Sequence, residues 1–231
     1  MRPPFVPFGV PHLAALAVTL AAPLLLAALL RLSRLPLDRA ARLFFAALLA
    51  AGWLWWFILF AHRGRLGIGN ALPLNLCDWA LIALIGALLT RNQIAYELGY
   101  FWGLGGTVQA VITPDLPYDF PDPQFLFFFG EHGGVIAALL YLTLGTGLRP
   151  RPSSLVCVAA VTLFYTFVAG FADWLLGTNY GYLRAKPPGT TLLSFMSPWP
   201  WYIPELMATA ILSLLIYYLP FAVLDWSRRN R

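Results

Sequence analysis

Charge is scarce in this chain. Of its 231 residues only 11% are Asp, Glu, Lys or Arg, well under the roughly 25% of an ordinary soluble domain, which excludes a fully solvated globular surface. Cysteine is sparser still. Cys77 and Cys157 lie in different apolar runs without disulfide-type spacing, so no structural bridge is expected. The three histidines form no HExxH and no Cys/His cluster with zinc spacing, so neither a metal nor another cofactor is expected. GYFWGLGG, at 99–106, has no strand before it and no Lys after it, and fails as a phosphate loop. An internal repeat is also missing, which argues against the inverted-repeat plan of many secondary transporters.

What is present is apolar. Hydrophobic residues make up 60% of the chain and the mean hydropathy is +0.72. A bilayer core of about 30 Å needs ~20 apolar helical residues, and runs at 12–30, 43–61, 71–90, 94–113, 124–145, 153–176 and 201–222 meet or nearly meet that need. Their limits coincide with breakers: Pro36 and Asp38, Arg63 to Gly69, Arg91 and Asn92, DLPYDFPDP, RPRP and KPPG. The expected fold is an all-α polytopic transmembrane bundle of about seven spans, forming one domain over 1–231. The first apolar run follows no early basic cluster and is read as a retained helix, not a cleaved signal.

The net charge of +5 does not point to nucleic acid, because the basic residues sit at span ends and form no stripe. They report topology. With seven spans, Arg2, Arg63, Arg65, Arg184 and Lys186 fall on one side and the remaining ten Lys and Arg on the other. The positive-inside rule then puts the N-terminus outside and the C-terminus in the cytoplasm, in a cell membrane. The long connector GTNYGYLRAKPPGTTLLSFMSPWPWY reads as an ordered interfacial cap, with LLSFM as a short half-helix.

Ionisable groups inside a membrane are costly and mark functional sites. Here they gather in the outer half: Asn75, Cys77 and Asp78 in the third span, Gln109 in the fourth, Glu131 and His132 in the fifth, Asp173 in the sixth and Glu205 in the seventh. At 1.5 Å per residue Cys77 lies ~9 Å and His132 ~12 Å from the start of its span. At matching depth, His132 can take the Cys77 proton and generate a thiolate that attacks an acyl carbonyl, if the two spans adjoin. Asn75, Gln109 or backbone N–H groups are candidates to hold the oxyanion. Asp78 and Glu131 are candidates to support the imidazole, although Glu131 points about 100° away from its own neighbour.

Arg184 and Lys186, in the cap with Tyr180, are candidates for a phosphate-bearing headgroup. Asp173 and Glu205 fit interhelical pairing as well as substrate contact. Gly99 and Gly103 form a small-xxx-small face for close packing. His12 and His62, at span ends, read as interfacial, and Cys157 as a small core hydrophobe.

With these residues in view, the chain resembles the YwaF family of bacterial integral membrane proteins. The stretches that carry the resemblance are LPLNLCD at 72–78, GYFWGLGGTVQAVITPDL at 99–116, FPDPQFLFFFGEH at 120–132, and TNYGYLRAKPPGTTLL followed by PWPWYI over 178–203. That family looks related to the animal transmembrane protein 164 group, to which ether-phospholipid acyltransferase activity is ascribed. The resemblance places a nucleophile on Cys77 and its partner on His132. It extends more distantly to membrane threonine hydrolases of fatty-acid esters of hydroxy fatty acids, where this chain has Cys for Thr. The implied activity is acyl transfer or hydrolysis on membrane lipids, with a phospholipid and an acyl donor as partners. The alternative is a transporter or a ligand- or lipid-binding sensor using the same polar pocket without chemistry.

Overall fold

The computed structural model describes residues 3–32, 37–114, 116–187 and 191–229. Arg2, Arg34, Pro36, Asp115, Pro188 and Gly189, which belong to the turn and charge patterns above, lie outside the described residues. The architecture is an all-α polytopic bundle, and six of its helical runs are long and apolar enough to cross a bilayer. The single strand-like pairing among the described residues is an antiparallel bridge between Pro4 and Tyr118.

Helices α1 (Val10–Leu32) and α2 (Asp38–His62) follow the first two apolar runs closely. The third run is interrupted. A short α3 (Ile68–Ala71) is followed by extended backbone through Leu72, and α4 (Leu76–Thr90) starts only after Asn75. Pro73 explains the break, because it holds the preceding residue out of helical conformation. Asn75 caps the new start, its backbone N–H donating to Asp78 Oδ2 at 3.0 Å, a reciprocal arrangement in the capping-box style.

The fourth expected span departs furthest from the sequence reading. It is helical from α5 (Gln93–Trp102) through a π-helical segment (Gly103–Thr107) into α6 (Val108–Ile112). It is not among the six apolar runs. Six residues of α5, including Tyr96, Glu97 and Trp102, are buried. The run carries Gln93 and Glu97 because protein, and not lipid, surrounds its first half; side chains of this polarity are tolerated at membrane depth only in such surroundings, and Gln109 lies exposed beyond it. The seven apolar spans therefore resolve as six plus one broken, buried helix.

Helix α7 (Pro123–Leu140) is the central element, prolonged by a π-helical segment (Tyr141–Gly145). Its start has a local cause: Asp122 Oδ1 accepts from Gln124 N at 2.8 Å, and Pro123 occupies the first turn where no N–H is needed. It packs against α1, α2, α4 and α6. Contact with α1 is close because of Gly133: a Cβ there would lie 2.5 Å from Thr19 Oγ1. Gly99 and Gly103 serve the same purpose for the buried run, against Leu84 of α4 and Leu139 of α7. Helices α8 (Ser154–Leu176) and α9 (Tyr202–Arg229) complete the bundle, and the cap between them contains a 3-10 turn at Leu192–Phe195, as LLSFM led one to expect.

At the end of the bundle away from the cap, Glu97 is held by several partners. Glu97, 1% exposed, accepts from Arg151 Nε at 2.8 Å, from Arg151 Nη2 at 3.1 Å and from Gln93 Nε2 at 2.7 Å. The Glu97 hydrogen bonds raise the pKa of the exposed Arg151 guanidinium above its ordinary value. His12 also departs from the interfacial reading: it is fully buried, Nδ1 accepting from Phe8 N at 2.9 Å and Nε2 lying 2.8 Å from the Val111 carbonyl. Both ring nitrogens are thereby satisfied. It is a packing group between α1 and α6.

Candidate active site

The break before α4 changes the surroundings of Cys77. Because the helix begins at Leu76, Cys77 is its second residue and lies in the first turn, not ~9 Å in as the unbroken span implied. There the N–H groups lack carbonyl partners four residues back and carry the positive end of the helix dipole. The Cys77 N–H is one of these, whereas that of Asp78 donates to the Asn75 carbonyl at 3.1 Å. Cys77 is exposed into a cavity of about 170 Å³.

That cavity joins three elements. The α4 start contributes Asn75, Cys77 and Asp78; α7 contributes Gln124, Phe128, Glu131 and His132; α2 contributes Trp53, Trp56, Phe57 and Phe60. The third and fifth spans, whose contact the sequence left open, therefore wall one space, with α2 as its aromatic side. Below the ~300 Å³ typical of small-molecule clefts, the volume suits the reacting part of a ligand and not a whole lipid.

His132 is half-buried, and its Nδ1 lies 3.1 Å from the Phe128 carbonyl, one helical turn back. A carbonyl can only accept, so Nδ1 carries the proton and Nε2 holds a free lone pair. This is the tautomer a general base requires. Asp78 is occupied with the Asn75 N–H. Glu131, 9% exposed, sits within electrostatic reach of both Cys77 and Asp78.

The loop carrying Cys77 is held from the opposite side by the cap. Tyr180 Oη donates to the Ile68 carbonyl at 2.5 Å and accepts from Leu72 N at 3.0 Å. Burial raises the Tyr180 phenol above its ordinary value, which keeps that donor protonated. Gly181 N donates to Asn75 Oδ1 at 3.3 Å, and Tyr165 Oη of α8 donates to the Leu74 carbonyl at 3.1 Å. Asp173, fully buried, orders the cap in turn: its Oδ1 accepts from Thr178 Oγ1 and Tyr180 N, each at 2.7 Å.

Of the residues singled out from sequence, Asn75, Cys77, Asp78, Glu131 and His132 line the cavity, and Gln109, Asp173, Tyr180, Arg184, Lys186 and Glu205 do not. Gln109 is exposed on α6. Arg184 Nη1 donates to the Asp173 carbonyl at 3.0 Å, and Lys186 Nζ to the Met196 carbonyl at 2.6 Å. Glu205 accepts from Ser197 N and Oγ at 2.9 and 2.5 Å. Arg184 fastens the cap to α8, Glu205 fastens it to α9, and Lys186 fastens it to itself.

The α2 wall and Gln124 were missed in the sequence reading. A signal for the former exists: Trp53, Trp56, Phe57 and Phe60 recur at helical spacing and form one aromatic stripe. In a helix that is hydrophobic all round, the stripe stands out by ring content only.

A family model described as the TMEM164 family matches residues 7–218. A protein of Treponema pallidum (strain Nichols), described as uncharacterized, is 30% identical over 152 residues, which cover 66% of this chain and 63% of that protein. The finer likeness to the YwaF family has no counterpart in these matches. No solved structure matches the chain.

Proposed function

This chain belongs to the TMEM164 family, and from that premise we propose that it is a membrane-embedded lipid acyltransferase or acyl hydrolase acting through a thioester on Cys77. The observation that carries the reading is the single cavity shared by the Cys77 thiol and a His132 ring whose Nε2 lone pair is free. Its aromatic α2 wall offers the acyl chain an apolar bed.

In the proposed reaction His132 Nε2 takes the thiol proton as the sulfur attacks the ester carbonyl. The carbonyl oxygen becomes an oxyanion, with the Cys77 N–H in the first turn of α4 as its candidate donor. Collapse breaks the ester C–O bond; the imidazolium returns its proton to the departing alkoxide, leaving an acyl thioester. An acceptor hydroxyl or water then gives its proton to His132 and attacks the thioester. The thiol is regenerated with the acyl chain on the acceptor or released as a fatty acid. Carboxylates flank the sulfur, so proton transfer in step with attack suits this geometry better than a standing thiolate.

The competing reading is a transporter or sensor that binds a solute or lipid in the same pocket without chemistry. It draws on Asp173, Glu205, Glu97 and Gln109; none of them lines the cavity, and the three carboxylates are engaged elsewhere. That arrangement favours the enzymatic reading.

Purified protein in detergent, given phospholipid with a labelled acyl chain and a lysophospholipid acceptor, tests it. Wild type is expected to transfer or release label, Cys77→Ala to do neither, and His132→Gln to lose about 10²-fold or more, the usual worth of a general base. Unchanged turnover in folded Cys77→Ala protein would overturn the mechanism.

A further inference from the structure

A second cavity, of about 370 Å³, opens beside the first and is lined by Arg63, Arg65, Pro117, Tyr118 and Gln124. Gln124 borders both spaces. The two arginines follow the C-terminal end of α2, where positive charge has an ordinary explanation: favourable contact with the last carbonyls of a helix. The structure gives them different work. The side-chain hydrogen bond of Arg63 runs from Nη1 to Gln124 Oε1 of α7 at 3.4 Å, across the cavity and not back to α2. Arg65 is exposed, and it is its backbone carbonyl that is used locally, accepting from Asn70 Nδ2 at 2.9 Å.

Among the described residues neither guanidinium forms an ion pair with a carboxylate, whereas Arg42, Arg149 and Arg151 each do. The nearby acids of the Asp119–Asp122 turn are buried and do not line this cavity. Asp119 Oδ1 accepts from Phe120 N, and Asp122 Oδ1 from Gln124 N, each at 2.8 Å. Among the described residues the two cations thus face an open space without a fixed counter-charge. Paired planar guanidinium forks match a phosphate group.

The neighbourhood specifies what kind of phosphate. From Gln124 to His132 is eight residues of α7, about 12 Å along the helix. That separation, shortened by the reach of the side chains at each end, suits a molecule whose anion and acyl ester are a few covalent bonds apart, as in a glycerophospholipid. The cavity beside Cys77 is too small for a whole lipid and lined with rings; the arginine cavity is larger and polar at its rim. One holds the ester and the other the headgroup.

We propose that Arg63 and Arg65 form the phosphate subsite for the glycerolipid whose acyl ester is presented to Cys77. The subsite rests on the acyl-transfer reading above, but binding can be measured apart from turnover.

The test uses full-length Cys77→Ala protein in detergent, so that no acyl group is consumed, with radiolabelled short-chain phosphatidylglycerol as probe. Matched short-chain diacylglycerol and inorganic phosphate serve as competitors. The expected result is that adding R63Q and R65Q together weakens phosphatidylglycerol binding by at least about tenfold, in keeping with loss of charge-assisted hydrogen bonds. Diacylglycerol binding stays unchanged by those substitutions, and R63K with R65K retains most of the phosphatidylglycerol affinity. The single R65Q variant, at an exposed position, is expected to fold normally and to show a several-fold part of the loss.

Wild-type-like phosphatidylglycerol affinity in R63Q/R65Q would overturn the subsite. So would displacement by inorganic phosphate at the same concentration as by the lipid, which would mark a free-anion site. Arginine-dependent lipid binding, beside a protein with Cys77 intact that shows no acyl transfer, would sink the enzymatic reading and leave the subsite standing. Acyl transfer with arginine-independent binding would do the reverse.

Discussion

The imidazole of His132 lies flat on the ring of Phe128, centroids 4.3 Å apart and planes 15° apart, while its Nδ1 meets the carbonyl of the same residue at 3.1 Å. One residue thus fixes both the plane and the tautomer of the proposed base. Replacing Phe128 by Leu keeps the backbone carbonyl and removes the stack. An aromatic pair is worth about 0.5–1.5 kcal/mol, so kcat for acyl transfer is expected to fall roughly threefold to tenfold, with KM little changed. A steady-state comparison checks it, and an unchanged kcat would show that the ring does not orient the base.

A covalent intermediate leaves a mass signature. Wild-type protein quenched in acid during turnover is expected to carry an acyl group on the Cys77 peptide, removable by hydroxylamine and absent in Cys77→Ala. Cys157 lies in α8 and does not line the cavity, so Cys157→Ala should acylate as wild type does. Peptide mass spectrometry decides, and acylation found only on Cys157 would contradict the assignment.

Tyr180 connects the cap to the loop that carries Cys77 through two hydrogen bonds. Tyr180→Phe removes both and is expected to cost about 1–3 kcal/mol of stability, since Leu72 N is left without that partner. Activity should fall further than the stability loss explains, because the α4 start is freed. Thermal unfolding measured beside turnover at a temperature where both proteins are folded separates the two effects.

Gly133 tests the packing of α1 on α7. A Cβ at this position meets Thr19 Oγ1 at 2.5 Å, so Gly133→Ala is expected to destabilise by about 1–3 kcal/mol, as overpacking does. Adding Thr19→Ala removes the obstructing atom and should restore part of the loss. Additive behaviour in the double-mutant cycle would mean that the two positions are not in contact.

Topology follows from whether the buried run 93–112 makes a full crossing. If it does, the described runs give seven crossings and the termini lie on opposite faces. The Lys and Arg distribution then predicts a cytoplasmic C-terminus. Reporter fusions at each end check this, and both termini on one side would show that the run enters and returns.

Span positions were legible in the sequence because hydropathy over ~20 residues reports length directly. Which face of each span points inward was not. Lipid is as apolar as the bundle interior, so a helix such as α2 shows no strong polar side, and its cavity-lining rings look like any others. The grouping of Asn75, Cys77, Asp78, Glu131 and His132 was readable from depth, since polar residues in a membrane are few and must share partners. The helix start at Leu76 was not read, because Leu72 and Leu74 continue the hydropathy through a stretch whose backbone is extended. His12 was misjudged for a related reason: position near a span end says nothing about the Phe5, Phe8 and Phe129 rings packed around it.

The burial of α5 bears on how the chain is made. With Gln93, Glu97 and Gln109 along it, the run 93–112 has little tendency to partition into lipid on its own, and Arg91 and Asn92 tie it closely to α4. The two helices form a hairpin whose extensive mutual contact supplies what the second one lacks. They must therefore leave the insertion machinery as a pair, and the stable docking of α5 has to wait until α8 and α9 have been synthesised to cover it.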